Sequence, residues 1–476
     1  MRIVAKRNSN RQNVIWNHVG TIVTMGSNLI LVPFAVVLLD RSELGLWYTY
    51  VAVANLTLLF EFGFAPTFAR NLVYALRGAQ DVASVGAPKV GENRVPNWEL
   101  FAALIRTAKR LYAVLSLVVG FLCGTLGTIY VAFISDEVPG TEKWIAWGCM
   151  VASVILNMYF FYTTTLLRGI GDIAAENKAH VASRFIQLVV SVTLMAAGLG
   201  IVGASIGYLA SGFVLRFVAL RSFARHDDVI EGLRGVGPAP IRYSAGALLC
   251  RVATIAWKDG LVQLASFGAT QCAVLIVSAV VGLGPSGEFS IALQLGNALC
   301  NFASAYVRSY YPEFQAAFIS DDRSKQKNIV ARGVIAYLGT SLSGMLVGVL
   351  CAPPALTLIK PTLRIDPVFL ALMLLYLIVW TLHSIYCNFI VSMNEIPYWS
   401  ADLVAAGLGV LGAWLAGGPL KLGMLGIVVV LLLVQMAYNA WYWTRYVHRR
   451  LDFPLLDAFK QGVAYWRSFL GSRKRG

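Results

Sequence analysis

The residues of this chain that could do chemistry are charged and amide side chains set inside apolar runs. Glu61 stands in Leu58-Leu59-Phe60-Glu61-Phe62-Gly63-Phe64-Ala65-Pro66, with Arg70 the next ionisable group along the chain. Arg308 lies in Tyr306-Val307-Arg308-Ser309-Tyr310-Tyr311-Pro312, Arg216 lies in another apolar run, and Arg251, Lys258 and Asp259 open a further one. Asn17, His18, Asn55, Asn157, Asn297, His383, Asn388 and Asp402 add polar groups in similar settings. Ionisable groups in hydrocarbon cost about 3 kcal/mol or more, so they face protein or water. Guanidinium groups on such a wall can grip phosphate oxygens in a fork. A carboxylate can pair with a cation or exchange a proton. Glu61 therefore reads in two ways, as an acid facing a cavity or as a hydrogen-bonding group at a helix break near Gly63 and Pro66. The arginines also read in two ways, as cavity cations or as anchors reaching to the membrane interface. Asn55, Asn297, Arg70, Arg308, Arg216, Arg251 and Lys258 are the candidate substrate contacts. Glu61, Asp259 and Asp402 are the candidates for ion coupling.

No motif for covalent chemistry accompanies them. The chain has no GxxxxGK[ST] loop to cradle nucleotide phosphates and no HExxH or CxxC pair. The expectation is a protein without cofactor, metal or catalytic residues, and not an enzyme. The seven cysteines sit in or beside apolar runs and read as small buried hydrophobes.

The elements that must hold these groups are long apolar helices. Hydrophobic residues make up 58% of the chain and charged residues 13%, about half the share usual in soluble domains. A helix crossing a bilayer needs about 20 mostly apolar residues. About twelve such runs are predicted, near 13–38, 45–75, 111–134, 144–167, 181–199, 202–220, 260–283, 288–311, 330–352, 367–392, 399–416 and 422–445. The fold class is an all-α, multi-pass membrane protein. The first run, preceded by a basic and polar stretch, is expected to act as an uncleaved insertion signal.

The net charge of +15 has a topological origin. About 34 of the 39 Lys and Arg fall on one set of alternate connections or in the run ends beside them, and only Arg41, Lys143, Lys360, Arg364 and Lys421 lie on the other side, the positive-inside pattern. Both termini are therefore expected in the cytoplasm, and no nucleic-acid partner is expected. The expected organisation is a six-helix lobe over 1–220, a cytoplasmic linker over 221–243, a second six-helix lobe over 244–446, and a basic amphipathic tail over 447–476. In the tail, Leu455, Leu456, Phe459, Val463, Trp466 and Leu470 share one helical face suited to an anionic leaflet.

The halves repeat at an offset of 242 residues: Gly45 falls on Gly287, Asn55 on Asn297 and Phe60 on Phe302. Duplicated halves with a substrate path between them are a recurring transporter plan. Gly120/Gly124, Gly203/Gly207 and Gly344/Gly348 have the spacing that lets helices approach closely.

Gly45-Leu46-Trp47, Phe60-Glu61-Phe62-Gly63-Phe64 and Ala69-Arg70, with Gly287 to Ala292 and Tyr311-Pro312-Glu313-Phe314, resemble the polysaccharide transporter family. These are the bacterial O-antigen and exopolysaccharide repeat-unit flippases of the multidrug/oligosaccharidyl-lipid/polysaccharide exporter superfamily. The resemblance implies two six-helix lobes around a cationic cavity in the bacterial inner membrane. It implies an undecaprenyl-pyrophosphate-linked oligosaccharide as cargo for O-antigen, capsule or exopolysaccharide synthesis, and as partners membrane lipids, a polysaccharide polymerase and a chain-length regulator. One departure is Gln271-Cys272, where the family often carries an acid; this shifts ion coupling toward Glu61. The rival readings are a multidrug or cation exporter of the same superfamily, a membrane enzyme, and a scaffold of polysaccharide assembly.

Overall fold

A computed structural model of the protein describes Trp16 and residues 30–82, 95–136, 138–236, 243–361, 363–393, 395 and 397–473. The described chain is all-helical. Eight of its continuous helices are long and apolar enough to cross a membrane, and a further crossing is a bent pair, α1 (Arg41–Thr57) and α2 (Phe64–Leu76). The protein is a multi-pass membrane protein.

The helices account for most of the expected runs. Trp98–Ile134 is a single helix, α3, which begins well before the run expected near 111–134. α4 is Glu142–Gly169. Ile173–Phe223 is two crossings, α5 (Ile173–Leu194) and α6 (Gly200–Phe223), joined by a turn in which Gly198 has φ 88°. That left-handed conformation suits glycine. The same hairpin needs glycine for contact, because a Cβ at Gly203 would meet Leu194 at 2.8 Å and one at Gly207 would run into Ser191. Of the other spaced pairs, Gly120 packs on Ile155 and Gly344 on Leu299, whereas Gly124 has open space around it. A short helix, α7 (Asp227–Arg234), lies in the connection expected as a linker.

Residues Met1–Leu264 and Ala265–Gly476 form two compact units. The division falls inside α8 (Ala245–Thr270), so the first part of that helix packs with the N-terminal unit. In the N-terminal unit Trp47, Tyr50, Phe68, Phe101 and Tyr112 are fully buried. Leu117, Phe121, Ile129 and Phe133 form an exposed apolar ribbon along α3, a surface suited to lipid.

In the C-terminal unit α9 (Cys272–Val280) is followed by α10 (Leu283–Ser309) and α11 (Tyr311–Ile319). Arg41 and Leu283, which open α1 and α10, are separated by the repeat offset. α10 is long enough to cross but is not among the apolar set; Gln294, Asn297, Asn301 and Arg308 make it polar. Then come α12 (Arg323–Ile359), α13 (Pro367–Ser392), α14 (Trp399–Gly417), α15 (Gly423–Ala437), α16 (Asn439–Arg450) and α17 (Leu455–Arg473). The first expected crossing, near 13–38, is described at Trp16 and from Ile30 on, where residues 30–38 are helical.

The tail forms its helix, with a turn of detail the periodicity missed. Leu455, Leu456 and Phe459 are exposed on it. Trp466 instead turns inward: its Nε1 donates to Arg332 O at 2.9 Å and its ring meets Tyr306. Gly462 permits this close approach to α12 at Ala331. The side chain of Leu470 lies outside the described residues.

The cysteines divide: Cys123, Cys300 and Cys387 are buried, whereas Cys250 and Cys351 are exposed. Exposure of the latter two corrects the reading of all seven as buried hydrophobes.

Candidate functional site

The break between α1 and α2 organises the N-terminal unit. α1 ends at Thr57, a tight turn follows over Leu58–Glu61, and Phe62 and Gly63 both take left-handed φ values of 47° and 72°. The two helices meet at 44°. A left-handed Phe is uncommon and costs about 1 kcal/mol or more. What holds it is Glu61. Its carboxylate accepts hydrogen bonds from Gly63 N at 3.0 Å, from Ala65 N, and from the Tyr112 hydroxyl at 3.1 Å. It thus serves the open N–H groups at the start of α2 and sits at the positive end of that helix. Pro66, in the first turn, needs no acceptor. The hydrogen-bonding group at a helix break, one of the two sequence readings, is displayed directly.

Glu61 also lines a cavity of about 360 Å³ within the N-terminal unit. Arg168, Glu176, His180, Arg184 and Arg216 share that wall. Arg168, in the last turn of α4, forks onto Glu176: Nε donates to Oε2 at 3.1 Å and an Nη to Oε1 at 2.5 Å. Glu176 is buried while the Arg168 side chain is half exposed, so the guanidinium has a face left for a ligand. Arg184 donates to Gln187 Oε1 at 2.7 Å. Arg216 stacks its guanidinium 3.7 Å from the centre of the Phe160 ring. Among the described residues, neither Arg184 nor Arg216 forms an ion pair. Three arginines and a histidine thus face two carboxylates, an arrangement suited to an anionic group with several oxygens.

The sequence candidates distribute unevenly. Glu61 and Arg216 meet on this wall. Arg70 is exposed on α2 and does not line the cavity. Asn55 is half-buried on α1, where its neighbours Ala54 and Leu58 line the cavity and it does not. Arg251 pairs with Asp81. Lys258 and Asp259 lie in α8, with side chains outside the described residues. In the C-terminal unit, Arg308 is exposed and donates to Asn301 Oδ1 and Ser304 Oγ, both at 2.8 Å, and Asn297 is half-buried on α10. Asp402 is buried against His383 Nε2 at 2.9 Å.

Four cavity residues escaped the sequence reading: Arg168, Glu176, His180 and Arg184. A signal existed. Glu176, His180 and Arg184 recur every four residues and so share a helix face. The expected crossing began near 181, whereas α5 begins at Ile173, with the Asp172 carboxylate accepting from Ala175 N at 2.9 Å as its cap. Starting the helix late left Glu176 and His180 in a turn.

No protein-family model matches the sequence, and no curated protein matches it. Solved structures do. An inward-facing multidrug resistance MATE family transporter of the MOP superfamily superposes with a TM-score of 0.67 over 92% of this chain and 98% of its own, at 16% identity. The lipid II flippase MurJ in an inward closed conformation gives 0.66 over 95% and 90%, at 14% identity. The chain has the fold of these transporters. A MOP superfamily transporter from Pyrococcus furiosus, described by a reverse polarity of its binding pocket, gives 0.52 over 92% and 95%, at 15% identity.

Proposed function

We propose that the protein is a flippase of the bacterial inner membrane. In this reading it carries a polyprenyl-pyrophosphate-linked oligosaccharide repeat unit to the outer leaflet for O-antigen, capsule or exopolysaccharide synthesis. The observation that carries the reading is the convergence of Arg168, Arg184 and Arg216 on one cavity of the N-terminal unit. A pyrophosphate offers the oxygens that such guanidinium groups hold. The polyprenyl chain can remain in lipid while the protein shields the polar headgroup. Alternating access moves the cargo without covalent chemistry. Glu61 balances the cations when cargo is absent and is the first candidate for ion coupling. Arg70, Arg308, Arg251, Lys258, Asn55 and Asn297 are further candidates for contact along the path, with Asp259 and Asp402 as further coupling groups. The termini are cytoplasmic, and a polymerase and chain-length regulator take up the product.

The multidrug-exporter reading rests on Glu61, Glu176 and Phe160 in the same wall, which would suit an aromatic cation. A deletion strain separates the two. The flippase reading expects lost surface polymer, lipid-linked repeat units retained on the cytoplasmic side, and rescue by the wild-type gene. Normal polymer together with drug sensitivity, in a strain without a second flippase, would establish the exporter. An alkaline phosphatase fusion at Arg234 should be inactive; activity there would overturn the topology.

A further inference from the structure

The C-terminal unit holds a second polar cluster, chemically unlike the first. His383 and Cys387 lie one turn apart on α13 and so point to the same side. Asp402 meets them from the first turn of α14, and Asn439 from the start of α16. All four are at least nine-tenths buried. His383 Nε2 lies 2.9 Å from Asp402 Oδ1 and 3.5 Å from Cys387 Sγ. Asn439 Nδ2 donates to the same Asp402 oxygen at 3.1 Å. One donor atom from each of His383, Cys387 and Asp402 falls within 4.8 Å of the other two.

These separations approach the edges of a coordination shell. Tetrahedral zinc, with bonds of about 2.3 Å to sulfur and about 2.1 Å to nitrogen or oxygen, has S···N edges of about 3.6 Å and N···O edges of about 3.4 Å. The His383–Cys387 edge already fits, and the His383–Asp402 edge would have to open by about half an ångström. A separate observation points to a cation. Asn439 Oδ1 is buried with no hydrogen-bond partner, as is Gln435 Oε1 four residues earlier. Buried carbonyl oxygens are rarely left so. The backbone breaks between them at Tyr438, with φ −141° and ψ −60°, which sets Asn439 at the head of a new helix. A half-turn of the Asn439 amide would bring Oδ1 to the place of Nδ2, 3.1 Å from the Asp402 oxygen, where both could ligate one ion. A cavity of about 390 Å³ bounded by Ser400, Val434 and Tyr438 reaches Asn439 and supplies an approach. A hydrogen-bonded network of His383, Cys387, Asp402 and Asn439 alone would not explain the orphaned amide oxygen.

We propose that His383, Cys387 and Asp402, completed by the Asn439 amide oxygen, bind a divalent cation of the zinc type. A thiolate and an imidazole select such an ion over magnesium or calcium, which take oxygen shells. Coordination to Cys387 requires the thiolate, so uptake releases the thiol proton to solvent and weakens as pH falls. The proposal is independent of which substrate is transported.

Cobalt(II) is the probe, added to untagged full-length protein in detergent. The expected result is a thiolate-to-cobalt charge-transfer band at one equivalent, bleached by zinc. Cys387→Ser should abolish the band, and His383→Gln and Asp402→Asn should weaken binding by at least about tenfold. A second variant guards against misfolding: Cys123, Cys149, Cys250, Cys272, Cys300 and Cys351 replaced by Ser, with Cys387 kept. Its band must persist. No band in the wild type, a band surviving Cys387→Ser, or a band lost from the variant that keeps Cys387 would each overturn the site.

Discussion

Glu61 and Asp402 are both buried acids in helical membrane units, and they are held in opposite ways. Glu61 is satisfied chiefly by backbone N–H groups at a helix break and stands on the wall of a cavity. Asp402 is satisfied by side chains, His383 and Asn439, from two neighbouring helices. Backbone donors remain in place when a ligand arrives or the side chain changes. Side-chain donors depend on one another, and each is stranded when its partner goes. The first arrangement suits a group that takes part in binding. The second suits a group that joins helices or encloses an ion.

The largest expected effect tests that contrast directly. Asp402→Ala leaves His383 and Asn439 without their partner in a buried site and should destabilise the protein by about 3 kcal/mol. Glu61→Ala removes a cap whose donors lie near a cavity that water can reach, and should cost about 1–2 kcal/mol. Unfolding of both variants in detergent by denaturant, at matched lipid content, measures the difference. A larger loss from Glu61→Ala would invert the comparison.

The next effect is on transport. Arg168 uses a fork that lysine cannot form. Arg168→Lys keeps the charge and forfeits one charge-assisted hydrogen bond of about 1.5 kcal/mol, so transport should fall about tenfold. Polymer output in a complemented deletion strain, at equal protein level, reads this. Full rescue would return Arg168 to the role of an anchor for Glu176.

A smaller effect belongs to the break itself. Gly63 has φ 72°, and Gly63→Ala should cost about 1 kcal/mol through backbone conformation alone. An unchanged unfolding midpoint would mean that the break relaxes and that Glu61 is not held by it.

The all-α membrane fold and nearly every crossing were legible because apolar runs of crossing length have few other uses. Pro367–Ser392 coincides with its expected run, and Gly203/Gly207 packs as its spacing suggests. The candidate site was legible only in part. Glu61 and Arg216 stand out against apolar neighbours. Arg168, Glu176 and His180 do not, because they sit near a turn where charge is ordinary, and only the fold turns them toward a cavity. The His383–Cys387–Asp402 cluster was harder to see. Asp402 comes from a different helix, and the one local signal, His383 four residues before Cys387, is common by chance. The helix break at Phe62 was marked by its neighbours Gly63 and Pro66, whereas the break at Tyr438 has no Gly or Pro beside it.

The smallest expected effect is also the one most sensitive to pH. Asp172 caps α5 and lies 3.1 Å from His226, which precedes α7. The hydrogen bond to Asp172, together with the negative charges of Asp172 and Asp228, pushes His226 above its ordinary value of 6.5. In return the hydrogen bond from His226, helped by the one from Ala175 N, holds Asp172 below its ordinary value of 3.8. A raised histidine contributes stability that is fully present below 6.5 and is lost as pH rises through the folded-state value. A lowered aspartate contributes stability that is present above 3.8 and is lost as pH falls through its own folded-state value. The pair is therefore strongest between the two. Both side chains are about one-third exposed, so solvent screening keeps the contribution to about 1 kcal/mol or less. His226→Ala should lower stability most in mildly acidic buffer and least in alkaline buffer, where the wild-type ring is neutral. A loss independent of pH would show an ordinary hydrogen bond, and would leave the contrast between the two buried acids as the only one in which charge matters.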